Sequence, residues 1–80
     1  MDPRNPEGYN GRGVLLSEQG KTAEAIAAFT KALELKPNLP HVYSNRGRAF
    51  AVSGDVDAAI RDFQQVLRLD PTNAAAAAAV

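Results

Sequence analysis

The side chains that could do chemistry are few in this sequence, and they do not gather into a motif. His41 is the only histidine, and it stands beside Pro40 at the start of a helical pattern. Because metal sites in proteins need several converging ligands, we interpret His41 as a solvated residue at a helix start. The chain has no cysteine, which excludes disulfides, thiolate zinc sites and cysteine nucleophiles.

Other candidate reactive groups have simpler structural interpretations. The aspartates at 55, 57 and 62 lack the glycine turn and closing glutamate of an EF-hand calcium loop, and acidic residues near a helix start favour the helix dipole. Gly11-Arg12-Gly13 has no preceding strand, so phosphate binding is not expected. The serines at 17, 44 and 53 lack histidine–carboxylate partners in any motif. We therefore expect no enzymatic activity, no metal site and no cofactor.

Charge and composition exclude further classes. Nine basic and nine acidic residues give a net charge of zero, whereas a nucleic-acid or anionic-membrane binder needs a basic surplus. The longest apolar run, residues 74–80, is far shorter than the ~20 residues of a membrane-spanning helix. We expect a soluble protein that binds neither nucleic acid nor membrane, and by default a cytoplasmic one. The arginines at 46, 48, 61 and 68 alternate with acidic residues, which favours an ion-paired, solvated face over a basic patch.

The sequence repeats itself with a period of 34 residues. When residues 6–39 are laid over residues 40–73, eleven of the 34 positions are identical without a gap. The identical residues of the first unit are Pro6, Tyr9, Arg12, Gly13, Gly20, Ala25, Ile26, Phe29, Leu33, Leu35 and Pro37. Such a period indicates a repeat architecture built from one supersecondary unit.

Within each unit the apolar residues recur at three- and four-residue steps, which predicts helices. We expect four of them, at about 6–19, 22–36, 40–53 and 56–70, with prolines at the entries and exits. Gly20 and Gly54 are expected to end the first helix of each pair, and Thr22 and Asp55 to cap the helices that follow. The two- to four-residue connections predict antiparallel neighbours. The fold class is therefore all-α, an α-solenoid of antiparallel helix pairs.

Gly13 and Gly47 fall in the middle of helices, where glycine costs about 1 kcal/mol relative to alanine. We interpret them as sites of close helix approach, facing the small residues Ala25 and Ala59 of the next helix. The aromatic residues at 9, 29, 43 and 63 would fill the surrounding space.

These residues together resemble the tetratricopeptide repeat, a 34-residue helix–turn–helix unit. The pattern is Tyr9-x3-Gly13-x6-Gly20-x4-Ala25-x3-Phe29-x7-Pro37, and the second unit repeats it from Tyr43 to Pro71. Tyrosine replaces the usual tryptophan, and arginine takes a position that is often leucine. The resemblance implies helix pairs stacked into a right-handed superhelix, with a concave groove lined by the first helix of each unit. It also implies a protein or peptide partner.

The resemblance further implies which residues line the groove. They are Glu7, Asn10, Val14, Ser17 and Glu18 from the first unit, and His41, Ser44, Asn45, Arg48, Ala51 and Val52 from the second. In chaperone-binding members an asparagine at the position of Asn45 helps to clamp the carboxylate of a heat-shock protein. That clamp also needs a lysine and an asparagine in the preceding unit, where this chain has Asn10 and Val14, so it is incomplete here.

The expected organisation is a lead-in at residues 1–5, repeats at 6–39 and 40–73, and an alanine-rich segment at 74–80. That segment is either a tail or the start of a third repeat helix. Repeat proteins need neighbours to cover each unit, and the apolar edge of the last helix, formed by Ile60, Phe63, Val66 and Leu67, is expected to be thinly covered. The alternative to groove binding is therefore self-association into a homo-oligomer through this edge.

Overall fold

The computed structural model describes residues 4–72, and these form four helices with no strand among them. The helices are α1 (Pro6–Glu18), α2 (Thr22–Leu35), α3 (Pro40–Ser53) and α4 (Val56–Leu69). The predicted all-α class and the order of the helices are confirmed, and three helices end one residue earlier than expected. The segment 74–80 lies outside the described residues. None of the helices in the described part has the length and hydropathy of a membrane span.

The helix ends follow from local side-chain chemistry. Asn5 caps α1 by accepting a hydrogen bond from the backbone N–H of Glu7 at 3.0 Å, and Asp55 caps α4 by accepting one from Ala58 at 3.1 Å. The expected cap at Thr22 is wrong, because Lys21 occupies the N-cap position of α2 and makes no side-chain cap hydrogen bond. Gly54 ends α3 with a φ of 91°, a left-handed conformation that favours glycine.

The core is centred on α2, which packs against α1 within the first repeat and against α3 of the second. Its apolar face supplies most of a buried cluster, and α3 contributes the rest. The cluster consists of Ala25, Phe29, Ala32, Leu33, Val42 and Ala49. Burial of this one face therefore joins the two repeats into a single unit.

Gly13 makes room for an aromatic ring. A Cβ atom added to Gly13 would lie 2.5 Å from Cε1 of Phe29, and one added to Gly47 would lie 3.2 Å from the ring of Phe63 and from Cβ of Asp62. The atoms nearest to the added Cβ thus belong to these side chains, as expected for Phe29 and Phe63, and the approach of the glycines to Ala25 and Ala59 stays a prediction. The close approach itself is present in both repeats.

The edge of α4 is less uniform than expected. Val66 is fully buried, whereas Ile60, Phe63 and Leu67 are partly exposed. Val66 therefore belongs to the interior of the second repeat, and the thinly covered surface is formed by the other three residues.

A buried ion pair connects α3, α4 and α2. The Arg46 guanidinium donates from Nε and Nη2 to the two carboxylate oxygens of Asp62, at 2.8 and 2.7 Å, and from Nη1 to Oγ1 of Thr30 at 3.2 Å. The rings of Tyr43 and Phe50 lie 5.6 and 5.7 Å from the guanidinium carbon. The hydrogen bond to Asp62 raises the pKa of Arg46 above its usual value. Asp62 is buried and Arg46 is partly buried, which corrects the expectation that the arginines of the second repeat lie only on a solvated face.

Replacing Gly13 by alanine is expected to destabilise the protein, although alanine is the better helix former. The new methyl group would press into the ring of Phe29, which is 1% exposed and has little room to move, and such overpacking costs about 1–3 kcal/mol. Gly11→Ala is the matched control, because no atom lies within 4 Å of a Cβ at Gly11. It should stabilise α1 by about 0.5–1 kcal/mol. Urea unfolding measures both, and a stabilised Gly13→Ala variant would contradict this packing.

Replacing Arg46 and replacing Asp62 should lower the free energy of unfolding by different amounts. Arg46→Ala leaves the Asp62 carboxylate unpaired, and because that side chain is only 5% exposed we expect a loss of about 3–5 kcal/mol in stability. Asp62→Ala should cost less, because the Arg46 side chain is 19% exposed and can turn its charge to water. Thermal unfolding followed by circular dichroism compares the two, and equal losses would argue against a buried carboxylate.

Candidate functional site

The first helices of the two repeats, α1 and α3, lie beside each other and form a polar surface, which we call the groove. At one end of the groove, His41 Nε2 lies 2.8 and 3.1 Å from the two carboxylate oxygens of Glu7. The two residues are 34 positions apart, so this contact joins equivalent positions of the two repeats. Both side chains are about half exposed, so their contact links α1 to α3 at this end of the groove without burying either side chain.

Three further residues form a hydrogen-bonded row across the groove, which we call the polar row. Arg48 donates from Nη2 to Oδ1 of Asn45 at 2.6 Å, and Asn45 donates from Nδ2 to Oδ1 of Asn10 at 2.9 Å. Both functional groups of the Asn45 amide are therefore engaged. The Asn10 amide and the Arg48 guanidinium each keep N–H groups that these contacts do not use.

Next to the polar row lies a cleft of about 190 Å³. Its lining combines apolar side chains from α1, α2 and α3 with polar groups at the rim. The lining residues are Val14, Ser17, Glu18, Thr22, Phe29, Asn45, Arg48, Ala49 and Val52. Six of these nine were expected from the family pattern, so the structure brings most of the predicted groove residues to one place.

Three lining residues were missed by the sequence analysis. Thr22 and Phe29 come from α2, and the family pattern assigns the groove to the first helix of each unit. Ala49 is 5% exposed and forms part of the core cluster. The signal that could have indicated Phe29 is Gly13, because a glycine on α1 lets the ring reach the groove side of that helix.

The remaining predicted residues lie outside the cleft. Ser44 is partly buried and lines a second depression together with His41 and residues of the polar row. Asp70, at the end of α4, also borders that depression. Ala51 is exposed on α3 and lines neither depression, so its inclusion in the site stays a prediction.

Charged and titratable side chains follow one another along the groove. Glu7 and His41 contact each other, Arg48 lines both the cleft and the second depression, and Glu18 lines the cleft. Within residues 4–72, no three histidine, cysteine, aspartate or glutamate side chains gather as a metal-ligand cluster. What the groove offers is hydrogen-bond donors beside a small apolar cleft, which is an arrangement suited to recognition of an extended chain.

Comparison with known families identifies the repeat. The sequence pattern of the tetratricopeptide repeat matches residues 6–39 and 40–73, which confirms the predicted resemblance. Comparison with curated proteins gives no match.

Solved structures of this fold are similar over nearly the whole chain. The first tetratricopeptide domain of Spaghetti (RPAP3) bound to the HSP90 peptide SRMEEVD is 30% identical, with a TM-score of 0.93 over 96% of this chain. The Sgt2 domain from Aspergillus fumigatus is 26% identical, with a TM-score of 0.87 over 92% of this chain. MamA shares the fold at 22% identity, with a TM-score of 0.96 over 99% of this chain. The chain spans only 61%, 49% and 46% of these three structures, respectively.

Replacing Asn45 by alanine tests the polar row. The change removes two hydrogen bonds of a partly buried amide and is expected to lower the free energy of unfolding by about 1–2 kcal/mol. Asn38→Ala is the control, because Asn38 is exposed in the connection between α2 and α3, and its replacement should change stability by less than about 0.5 kcal/mol. Chemical unfolding measures both, and equal effects would count against the polar row as an ordered element.

Proposed function

We propose that this chain, which belongs to the tetratricopeptide repeat family, binds an extended peptide segment of a partner protein in the groove between α1 and α3. The family consists of protein-interaction modules, and the proposal concerns where and how this member binds. One observation is the main support for this proposal. An apolar cleft directly adjoins a row of hydrogen-bond donors on the surface that the first helices of both repeats share.

The polar row selects for hydrogen-bond acceptors in the ligand. Arg48 carries a positive charge in the middle of the groove, and its guanidinium has further N–H groups beyond the one that contacts Asn45. The Asn10 amide nitrogen likewise carries N–H groups that the polar row does not use. Peptide carbonyl groups and carboxylates match such donors, and a carboxylate gains most because charge-assisted hydrogen bonds are the stronger ones.

The cleft selects for one aliphatic side chain. Among its apolar lining residues, Val14 and Val52 are 37% and 76% exposed, while Phe29 is 1% exposed. Burying a leucine, isoleucine or valine side chain contributes about 1.5–3 kcal/mol. A volume of about 190 Å³ admits a single side chain rather than a drug-sized molecule, for which pockets of ~300–1,000 Å³ are usual.

The similar structure bound to SRMEEVD supports this class of ligand. That peptide combines acidic residues with the aliphatic side chains of methionine and valine. In the present chain Val14 offers no hydrogen bond where the carboxylate clamp needs a polar side chain. We therefore expect the aliphatic contact to contribute a larger share of the binding free energy in this chain, and the carboxylate contact to depend on Arg48.

A selection experiment tests the proposal without a known ligand. A library of random seven-residue peptides is selected on the immobilised full chain, and binders are measured by fluorescence anisotropy. We expect the enriched peptides to share an aliphatic residue next to an acidic one. Enriched peptides without either feature would contradict the proposed chemistry.

Two pairs of variants then locate the binding surface. Arg48→Ala should weaken the selected peptides by about tenfold or more, since hydrogen bonds to charged groups contribute about 1.5–3 kcal/mol, and Val52→Thr should weaken them less. The matched controls are Arg61→Ala and Val56→Thr, which change exposed residues of α4 outside the groove. Equal effects of the groove and control variants would place the binding site elsewhere.

A further inference from the structure

We propose that a depression between α3 and α4, on the side of α3 away from the groove, binds the phosphate group of a phosphate monoester. The depression has a volume of about 420 Å³, and we call it the α3–α4 depression. It is lined by Tyr43, Arg46, Phe50, Ala58, Arg61, Asp62 and Gln65. Because none of these residues belongs to the groove, the inference does not rest on the peptide binding proposed above.

The α3–α4 depression and the groove lie on opposite sides of one helix. Tyr43, Arg46 and Phe50 recur at three- and four-residue steps along α3. In a helix with 3.6 residues per turn, these three positions lie on the opposite side from Asn45 and Arg48 of the polar row. A ligand in the α3–α4 depression would therefore leave the groove open.

The α3–α4 depression also lies away from the faces on which a further repeat would pack. On α4, Arg61 lies on the opposite side of the helix from Phe63. The repeat equivalent of Phe63 is Phe29, which belongs to the core shared with the following helix, α3. On α3, Arg46 already donates a hydrogen bond to Thr30 of the preceding repeat. Repeats before or after these two would thus contact other surfaces.

Arg46 provides a positive charge that is held in place. Its Nε and Nη2 donate to both oxygens of Asp62, which is 4% exposed, and its Nη1 donates to Thr30. The rings of Tyr43 and Phe50 lie on either side at 5.6 and 5.7 Å from the guanidinium carbon. These hydrogen bonds use three of the five N–H groups of the guanidinium. Because the side chain is already ordered, binding through the other two costs little conformational entropy.

Arg61, Gln65 and Tyr43 supply further donors. Arg61 is exposed, and within residues 4–72 its side chain makes no hydrogen bond or ion pair. Asp57, one turn earlier on α4, does not line the depression. The Tyr43 hydroxyl and the Gln65 amide make no hydrogen bond in the described part of the chain, where no buried side-chain nitrogen or oxygen lacks a partner. Their polar atoms are therefore accessible to a ligand.

The charges of the lining favour an anion. Two guanidinium groups and one carboxylate line the depression, which leaves one net positive charge. Both oxygens of that carboxylate already accept hydrogen bonds from Arg46, so most of the unused groups are donors. A phosphate monoester carries a charge of about −1.5 to −2 and three acceptor oxygens, whereas a carboxylate has two. Arginine also binds phosphate with two parallel hydrogen bonds, and a phosphate monoester therefore fits these donors best.

The test is a titration of the full chain, labelled with nitrogen-15 and followed by NMR in a phosphate-free buffer. The probes are inorganic phosphate and a capped, otherwise neutral five-residue peptide that carries one phosphoserine. The same peptide with glutamate in place of phosphoserine is the carboxylate comparison. We expect saturable shifts of the signals of Arg61 and Gln65 with both phosphate probes, and weaker binding of the glutamate peptide.

The two phosphate probes also distinguish the source of the phosphate group. Tighter binding of the phosphoserine peptide would indicate a phosphorylated segment of a protein, and equal or tighter binding of inorganic phosphate would indicate a small phosphate compound. No saturable shift with either probe would overturn the proposal. Equal affinity for the glutamate peptide would overturn the preference for phosphate.

Two substitutions that spare the buried ion pair locate the site. Arg61→Ala should weaken phosphate binding by about tenfold or more, because hydrogen bonds between charged groups are the strong ones. Tyr43→Phe removes only the hydroxyl group and should weaken binding by roughly two- to tenfold. Circular dichroism checks that each variant keeps its helical content. Unchanged affinity in Arg61→Ala would overturn the site.

Two further arginine variants separate this site from other positive charges. Arg68→Ala is the matched control, because it removes the same charge from an exposed position of α4 that does not line the depression. It should change the affinity by less than about twofold, since separated surface charges are screened by salt. Equal losses in Arg68→Ala and Arg61→Ala would show unspecific attraction to charge and overturn the proposal. Binding that is lost in Arg48→Ala but kept in Arg61→Ala would place the phosphate in the groove and would also overturn it.

Discussion

The contact between Phe29 and Gly13 is the constraint on which the rest of the structure depends. A ring that is 1% exposed lies so close to α1 that a Cβ atom at residue 13 would be 2.5 Å from it. This sets the distance between the helices of the first pair. The same ring forms part of the core that joins the repeats and lines the cleft of the groove. Core packing and the candidate binding surface are therefore determined by one side chain.

The second repeat uses the same close approach and adds an ion pair. Gly47 accommodates both the ring of Phe63 and the Cβ of Asp62, and Asp62 holds Arg46 against Thr30 of the first repeat. The described residues contain no buried side-chain nitrogen or oxygen without a hydrogen-bond partner. A buried pair adds little stability compared with apolar packing. Its geometry can instead fix the orientation of one repeat relative to the other, because three helices must be in place for it to form.

The orientation of the repeats matters because the groove exists only between them. The contact between Glu7 and His41 and the polar row both span from α1 to α3, and few direct backbone contacts support these two helices against each other. Their spacing is set indirectly, through α2, which packs against both. A change in the core of α2 is therefore transmitted to the distance between the groups that would contact a ligand. The geometry of the groove therefore depends on the packing of α2 beneath it.

The local features of the protein were determined by the sequence alone. The four helices, the caps at Asn5 and Asp55 and the chain reversal at Gly54 depend on residues close in the chain. The 34-residue period is not local, but comparing residue identities along the chain reveals it without a structure. Six of the residues that line the cleft were also named by the family pattern, and their role in binding stays a prediction. The wrong prediction of an N-cap at Thr22 also concerns a local feature. It reflects the similar preference of threonine for the cap position and for the first turn of a helix.

Only the tertiary structure decided which side chains meet across helices. Arg46 and Asp62 are 16 residues apart, and Asn10 and Asn45 are 35 apart, so their contacts depend on helix rotation and spacing to within about an ångström. Periodicity indicates which face of a helix is buried, but it does not give the rotation and spacing of helices to that precision. For the same reason it could not show that Val66 is buried while Phe63 is partly exposed, or that Phe29 reaches the groove. The sequence determined the elements and their order, and packing determined the contacts, because hydrogen bonds and side-chain burial depend on distances that only the folded chain defines.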